Sequence, residues 1–211
     1  MKLVFLGPPG AGKGTVAAKI SAKYNIPHIS TGELFRNNIK NKTELGRKVS
    51  RILESGDLVP DEITIEIVKQ RLSEPDAATG FILDGFPRTI TQAEALKSFA
   101  DLDMVLNFEC GKEEIIRRLT GRRQCPECGR IYHIEFMPPQ KEGICDDDGA
   151  ELITRSDDKI DSVENRLVVY NKSTEPLINW YKEEGLLTNI NAELSPEEVF
   201  SEADKILSGI S

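Results

Sequence analysis

A chain of 211 residues with 39% hydrophobic content suits one filled core with insertions and excludes two large independent domains. Its 27 Lys and Arg stand against 35 Asp and Glu, a net charge of −8, which disfavours a general nucleic-acid binder because phosphates would be repelled. No apolar run approaches the roughly eighteen residues that cross a bilayer, so no membrane association is expected, while small anionic ligands gripped by a few buried arginines remain compatible.

Met1-Lys2 leads straight into an apolar run, Lys2 to Leu6, that predicts a buried strand. Nothing there reads as a signal-peptide cleavage region, and a cytosolic location is expected. Gly7-Pro8-Pro9-Gly10-Ala11-Gly12-Lys13-Gly14-Thr15 follows and opens a helix-patterned segment. That order of strand, glycine loop and helix reads as a phosphate-binding loop. Glycines let successive N–H groups turn inward, a helix N-terminus adds positive potential, and Lys13 supplies a mobile cation. Gly14 stands where the general pattern has the Ser or Thr that meets Mg²⁺, and Thr15 offers a hydroxyl one place later.

A short strand, Pro27 to Ile29, precedes Ser30-Thr31-Gly32-Glu33-Leu34-Phe35-Arg36. A second phosphate could dock there, or the residues could simply cap a helix. From 30 to 59, apolar residues recur at helical spacing (Leu34, Phe35, Ile39, then Leu45, Val49, Ile52, Leu53) and end in Gly56-Asp57, which predicts a small helical insertion. The strand Phe81 to Leu83 delivers Asp84 near the glycine loop, where an acid could hold Mg²⁺ through water. Gly85 lets the backbone approach a ligand, Arg88 can grip a phosphate, and Gln92 lies on the same side of the next helix, where its amide could read a base edge. Further strands are expected at Met104 to Phe108 and Leu186 to Ile190. Short apolar strands alternating with helices predict an α/β fold with a parallel sheet core and ligands at the carboxyl ends of its strands.

Between Gly121 and Asp158 the chain turns rich in Gly, Pro, Cys and Asp, with β-like pieces at Arg130 to Ile134 and Glu151 to Thr154, a second insertion shaped as a flap. Arginines gather in it and at its hinges. Arg122, Arg155 and Arg166 suit a migrating phosphoryl group, whereas Arg117 and Arg123 read as structural. Cys125-Pro126-Glu127-Cys128 and Cys145-Asp146-Asp147-Asp148 have the spacing of a zinc ribbon with ligands Cys125, Cys128, Cys145 and Asp148. Four protein ligands make that site structural, and a disulfide is disfavoured in a reducing compartment. Cys110, His28 and His133 read as packing or hydrogen-bonding residues. Downstream, Asp161 with Glu164 predicts a helix cap, Pro176 a kink in that helix, and Ser195-Pro196-Glu197-Glu198 a capped helix start.

Taken together, the glycine loop, Ser30 to Arg36, Gly56-Asp57-Leu58-Val59-Pro60, Asp84 to Thr89, Leu119-Thr120-Gly121-Arg122-Arg123, Tyr132-His133, Arg155-Ser156-Asp157-Asp158 and Arg166 closely resemble bacterial adenylate kinases of the long-lid, zinc-bearing type, over nearly the whole chain. The resemblance implies a P-loop three-layer fold on a five-stranded parallel sheet. The core would comprise 1–29, 60–120 and 159–211, with a nucleoside-monophosphate-binding insertion at 30–59 and a lid at 121–158. It implies Mg²⁺-dependent transfer from ATP to AMP giving two ADP, in a monomer. By the same resemblance, Gly10, Ala11, Gly12, Lys13, Gly14 and Thr15 bind ATP phosphates, and Arg118, Arg122, Ile131, Tyr132 and the backbone near Leu194 also contact ATP. AMP falls to Thr31, Arg36, Asp57, Leu58, Val59, Gly85, Phe86, Pro87, Arg88, Gln92, Arg155 and Arg166. Lys13, Asp84, Arg88, Arg122, Arg155 and Arg166 would serve the chemistry. Val16 replaces a glutamine common in the family, and Asp148 replaces a fourth cysteine. A kinase for UMP, CMP or GMP, and a nucleotide-switched zinc-ribbon binding module, are the competing readings.

Overall fold

A computed structural model describes residues 1–209. Strand β1 (Lys2–Leu6) leads through the glycine loop into α1 (Lys13–Tyr24), then β2 (His28–Ser30), α2 (Thr31–Lys40), α3 (Glu44–Ser55) and α4 (Asp61–Leu72). After β3 (Phe81–Asp84) come α5 (Ile90–Phe99), β4 (Met104–Glu109) and α6 (Lys112–Gly121), and then a two-stranded antiparallel ribbon of β5 (Arg122–Gln124) and β6 (Ile131–His133). The chain closes with α7 (Ile160–Val169), α8 (Pro176–Glu183), β7 (Leu187–Asn191) and α9 (Pro196–Ser208).

Five strands pair in parallel in the order β2-β3-β1-β4-β7. Because strand side chains alternate, β1 feeds two cores at once. Leu3 and Phe5 pack with Ala17 and Ile20 of α1 and with Val199 and Ala203 of α9. Val4 and Leu6 pack on the other face with Val68 of α4, Leu96 of α5 and Leu177 and Tyr181 of α8. Burial on both faces explains why these strands read as continuous apolar runs, with each buried Leu or Val contributing about 1.5–3 kcal/mol.

The register sets the site. Phe5 pairs with Asp84, so the glycine loop after β1 and the acid ending β3 emerge side by side. Residues 31–55 form the two expected helices with a core of their own, Phe35, Val49 and Val59. There Thr43 caps α3 by accepting from Gly46 N–H, and Gly56, with φ 82°, ends it. Between α6 and α7, residues 122–155 form the β5–β6 ribbon and two metal-type knuckles.

Three local expectations change. Glu151 to Thr154 makes only isolated bridges, Ile144 to Glu151 and Gln124 to Ile153, rather than a strand. Asp161 is not a cap, because the single turn Ser156–Asp158 feeds α7 two residues earlier, with Lys159 at the N-cap. Asp161 instead lies in the first turn, where its charge favours the helix dipole. Pro176 does not kink one long helix. A wider π turn, Tyr170–Thr174, carries the interruption, with Glu175 N–H donating to Tyr170 O at 2.9 Å. At Ser195 the capping box forms as expected.

Candidate active site

The loop after β1 is built for close approach. Gly7 has φ 137°, and a Cβ on it would lie 2.6 Å from Phe108 O, so no other residue fits. Gly12 takes a left-handed conformation at the N-cap of α1, and no side chain caps that helix, leaving its dipole end for a ligand. Lys13 Nζ folds back to donate to Gly7 O at 2.7 Å and Pro8 O at 2.8 Å. Burial, with Arg88, Arg166 and Arg122 adding repulsion, pulls its pKa down to about 8 against the opposing pull of Asp84.

Asp84 is largely buried, with its side chain 15% exposed. Burial is the largest influence on it and would raise its pKa, but the His28 hydrogen bond and the charges of Lys13, His28 and Arg88 outweigh burial and keep it ionised. His28 Nε2 lies 3.3 Å from Asp84 Oδ2. A Cβ on Gly14 would sit 3.5 Å from that same oxygen, so the loop and the acid are in contact range. This arrangement fits a Mg²⁺ carried in with a polyphosphate, held through its water shell by one ionised carboxylate.

Around the loop, Lys13, Arg36, Arg88, Arg122, Arg155 and Arg166 converge against Asp84, Asp157 and Asp158. Arg122 makes a two-pronged pair with Asp158, Nε to Oδ2 at 2.7 Å and Nη2 to Oδ1 at 2.5 Å, and the Asp158 side chain has no exposed surface. Arg166 Nη1 meets Asp157 Oδ2 at 3.1 Å and Asp158 Oδ1 at 3.2 Å. Arg88 Nε donates to Gly85 O at 2.8 Å, and Thr31 Oγ1 donates to the same oxygen at 2.9 Å. Burial, ahead of repulsion from Arg166 and Arg36 on Arg88 and from Arg122 and Arg36 on Arg155, holds their guanidinium pKa values below the ordinary range, to about 10 and about 9. Cations outnumber carboxylates here, in a chain whose net charge is negative. Buried charge of one sign without equal pairing is costly unless an anion completes it.

Thr31, Phe35, Leu53, Asp57, Leu58, Val59, Thr64, Gly85, Arg88 and Gln92 line one cleft between α2, α3 and the end of β3. Phe86 is buried beneath it in the sheet core, and Pro87 bridges it to Arg88. Gln92 is less free than its sequence position suggests. Its Oε1 accepts from Arg88 N–H at 2.8 Å and its Nε2 donates to Asp61 Oδ1 at 2.7 Å, which leaves one donor and one acceptor for anything else. On the loop's other side, Arg118 donates to Glu114 Oε1 and to Ala192 O, both at 2.7 Å, and its Nη1 lies 3.8 Å from where a Gly12 Cβ would stand. Leu194 follows at the surface, 39% exposed. Ile131 is half-buried, whereas the Tyr132 side chain turns inward, its hydroxyl 3.5 Å from Cys145 Sγ. A nucleotide contact at Tyr132 therefore falls to its backbone.

Lys40 Nζ at the end of α2 donates to Pro126 O at 2.8 Å, so the helical insertion and the flap touch. Arg117 pairs with Glu135 and stacks on Phe136, and Arg123 binds backbone carbonyls, which matches their structural reading. Cys110 is half-buried rather than enclosed, and packs between two apolar clusters. Asp157 and Asp158 stand in the sequence only within the Arg155 to Asp158 motif, with no role of their own, and His28, read as a packing or hydrogen-bonding residue, does hydrogen-bond, with Asp84 as its partner.

Ligand atoms of Cys125, Cys128, Cys145 and Asp148 lie within 4.8 Å of one another. Cys128 and Cys145 sulfurs are 3.6 Å apart, close to the roughly 3.8 Å edge of a tetrahedral zinc–thiolate centre and far beyond a disulfide bond. Both knuckles have the same backbone pattern. Cys125 N–H donates to Arg130 O and Gly129 N–H to Cys125 O, while Cys145 N–H donates to Ala150 O and Gly149 N–H to Cys145 O. The residues fit zinc.

The family model described as adenylate kinase matches residues 5–186. Adenylate kinase of Carboxydothermus hydrogenoformans is 55% identical over 206 residues, covering 95% of this chain and 96% of its own. That of Treponema denticola is 52% identical over 201 residues, with 95% and 96% covered. That of Acetivibrio thermocellus is 52% identical over 215 residues, with 100% and 99% covered.

Proposed function

The chain belongs to the adenylate kinase family and transfers a phosphoryl group between ATP and AMP, and we propose that the converging cations after β1 and β3 carry out that transfer. The observation behind this reading is the cluster of six buried or half-buried cations, which outnumber Asp84, Asp157, Asp158 and the exposed Glu33. A second nucleotide would complete the charge balance.

In this reading Gly10 to Thr15, with Lys13 and Arg118, hold the ATP phosphates. Arg122, Ile131, the backbone of Tyr132 and Leu194 flank the rest of that nucleotide. Thr31, Arg36, Asp57 to Val59, Gly85 to Arg88, Gln92, Arg155 and Arg166 hold AMP. An AMP phosphate oxygen attacks the γ-phosphorus in line, the bond to the β,γ-bridging oxygen breaks, and ADP leaves from each side. No protein nucleophile takes part. Lys13, Arg88, Arg122, Arg155 and Arg166 position the two phosphate chains and face charge that spreads over the equatorial oxygens. Mg²⁺ bound with ATP neutralises phosphate charge, and Asp84, with Thr15 nearby, would hold its water shell. The helical insertion 30–59 and the lid 121–158 fold over the core 1–29, 60–120 and 159–211 to keep water from the γ-phosphate, with the Lys40 to Pro126 contact joining them. Adenylate kinase lids are among the standard cases of such closure.

Cys125, Cys128, Cys145 and Asp148 would hold zinc, which would brace the lid as a structural ion and take no part in the chemistry. A cytoplasmic monomer fits the sequence, and no helix among the described residues is long and apolar enough to cross a membrane.

Incubation with Mg-ATP and each nucleoside monophosphate, followed by diphosphate measurement, tests the reading. Strong preference for AMP is expected, together with a loss of about three orders of magnitude in turnover for Lys13→Ala. Near-native turnover in that variant sinks the site assignment.

A further inference from the structure

Gln124 ends β5, immediately before the first cysteine of the knuckles, and belongs to none of the motifs that point to nucleotides. Its side chain makes two hydrogen bonds in opposite directions. Oε1 accepts from Arg155 Nε at 2.6 Å, and Nε2 donates to Gly129 O at 3.1 Å. Chemistry fixes that orientation, since the reversed amide would set its NH₂ against a guanidinium and its oxygen against a carbonyl. The backbone reinforces it, as Gln124 and Ile153 exchange both N–H to O bonds at 2.9 Å, two residues from Arg155.

Gly129, with φ 80°, is the turn of the first knuckle, and its N–H is bonded to Cys125 O. One amide therefore links the metal cluster to a cation of the phosphate site. The kind of link matters. Arg122 and Arg166 are held by Asp158 and Asp157, whose charges offset part of their own. Arg155 feels Arg122 and Arg36 first and Asp157 and Asp158 after them, yet its one hydrogen bond is to a neutral amide oxygen, which fixes its direction without pairing it to a carboxylate. The bond uses only Nε, and among the described residues no hydrogen bond engages the two Nη groups.

We propose that Gln124 is a positioning residue for phosphoryl transfer, aiming Arg155 at the phosphates from the cysteine knuckle through a neutral hydrogen bond. This rests on the reading of Arg155 as a phosphate ligand. The test is a cycle of Gln124→Met, Arg155→Met and the double variant in the full, metal-loaded chain, with kcat, both KM values, metal content and melting temperature measured for each. Arg155→Met is expected to lose roughly a hundredfold or more in kcat. Gln124→Met should lose roughly tenfold in kcat, with native metal content, melting temperature and KM for ATP. The double variant should be no slower than Arg155→Met alone, because Gln124 acts through that arginine. Losses that multiply in the double variant, a native kcat in Gln124→Met, or a kcat loss that tracks lost metal each overturn the inference. Near-native activity of Arg155→Met overturns the site reading beneath it, and this inference with it.

Discussion

Residues 30–59 close on Phe35, Val49 and Val59 with Ile39, Leu45 and Leu53 at their margin, while residues 121–158 close on Cys125, Cys145 and Tyr132 with only Ala150 and Leu152 beside them. The first insertion has an apolar stripe on each helix and a Thr43 cap on α3, so burial and that hydrogen-bonded terminus hold its shape. The second has a three-residue ribbon, isolated bridges and glycine turns, and its most buried side chains are metal-type ligands and the tyrosine that touches them. Two covers over one site thus get their rigidity from different physics. The helical one draws on the hydrophobic effect, whereas the flap has little apolar core and a cluster of side chains that fits a metal.

The sharpest way to break this contrast is to remove a ligand. Cys128→Ser should abolish stoichiometric zinc and strip hydrogen-exchange protection from residues 122–153, since apparent zinc-binding energies of about 10–16 kcal/mol in small domains are folding energy. Protection over residues 31–55 should stay native, and turnover at moderate temperature should survive. An unchanged flap would mean that its apolar residues suffice.

Next in size, Val49→Ala opens a cavity in the helical insertion. It should cost about 2 kcal/mol locally and raise KM for AMP, with zinc content untouched. Equal destabilisation of the flap by exchange would show that the two covers share one cooperative unit.

The smallest effect is a pair of opposite pH responses. His28, at the root of the helical insertion, loses basicity through burial but gains more from the Asp84 hydrogen bond and charge, so its pKa rises above the ordinary 6.5. The native state then binds the extra proton, and the stability His28 contributes is full below 6.5 and lost as pH rises through the raised value. His133 in the flap is lowered, chiefly by burial. Its Nδ1 accepts from Glu135 and Phe136 N–H at 3.1 and 3.2 Å, which only the neutral ring can do. Its contribution is full above 6.5 and lost as pH falls through the lowered value. Exchange rates taken on both sides of 6.5 should therefore rise on the alkaline side near β2 and on the acid side near β6. Parallel responses would refute the pairing.

What the sequence revealed follows from the same division. The five core strands lie within a residue of their expected bounds; for β1, β3 and β4 burial on both faces leaves a nearly continuous apolar run, whereas the edge strand β7 is exposed at Asn189 and Asn191. The cysteine knuckles were legible because coordination demands fixed spacing. Strand β5 was not, since Arg122, Arg123 and Gln124 have no apolar alternation and pair through backbone alone. Glu151 to Thr154 misled for the opposite reason, as its Ile153 is 47% exposed and packs on no core. At the site, the loop glycines and arginines were visible as types. The partners that aim them were not, because Asp158, Asp157 and Gln124 are distinguished only by burial and direction.

The π turn at Tyr170–Thr174 works like a change of gear along a single axle. In an unbroken α-helix, Leu167 and Leu177 would stand about 80° apart around the axis, whereas one extra residue in a turn brings them to roughly opposite sides. They do pack into different cores, Leu167 against α6 and Leu177 against the sheet. The same rod can therefore bring Arg166 to Asp157 and Asp158 at one end and anchor the sheet at the other. At the point of the phase change, Thr174 Oγ1 donates to Arg88 O at 2.9 Å, so the offset that reorients the rod also fastens it to the site.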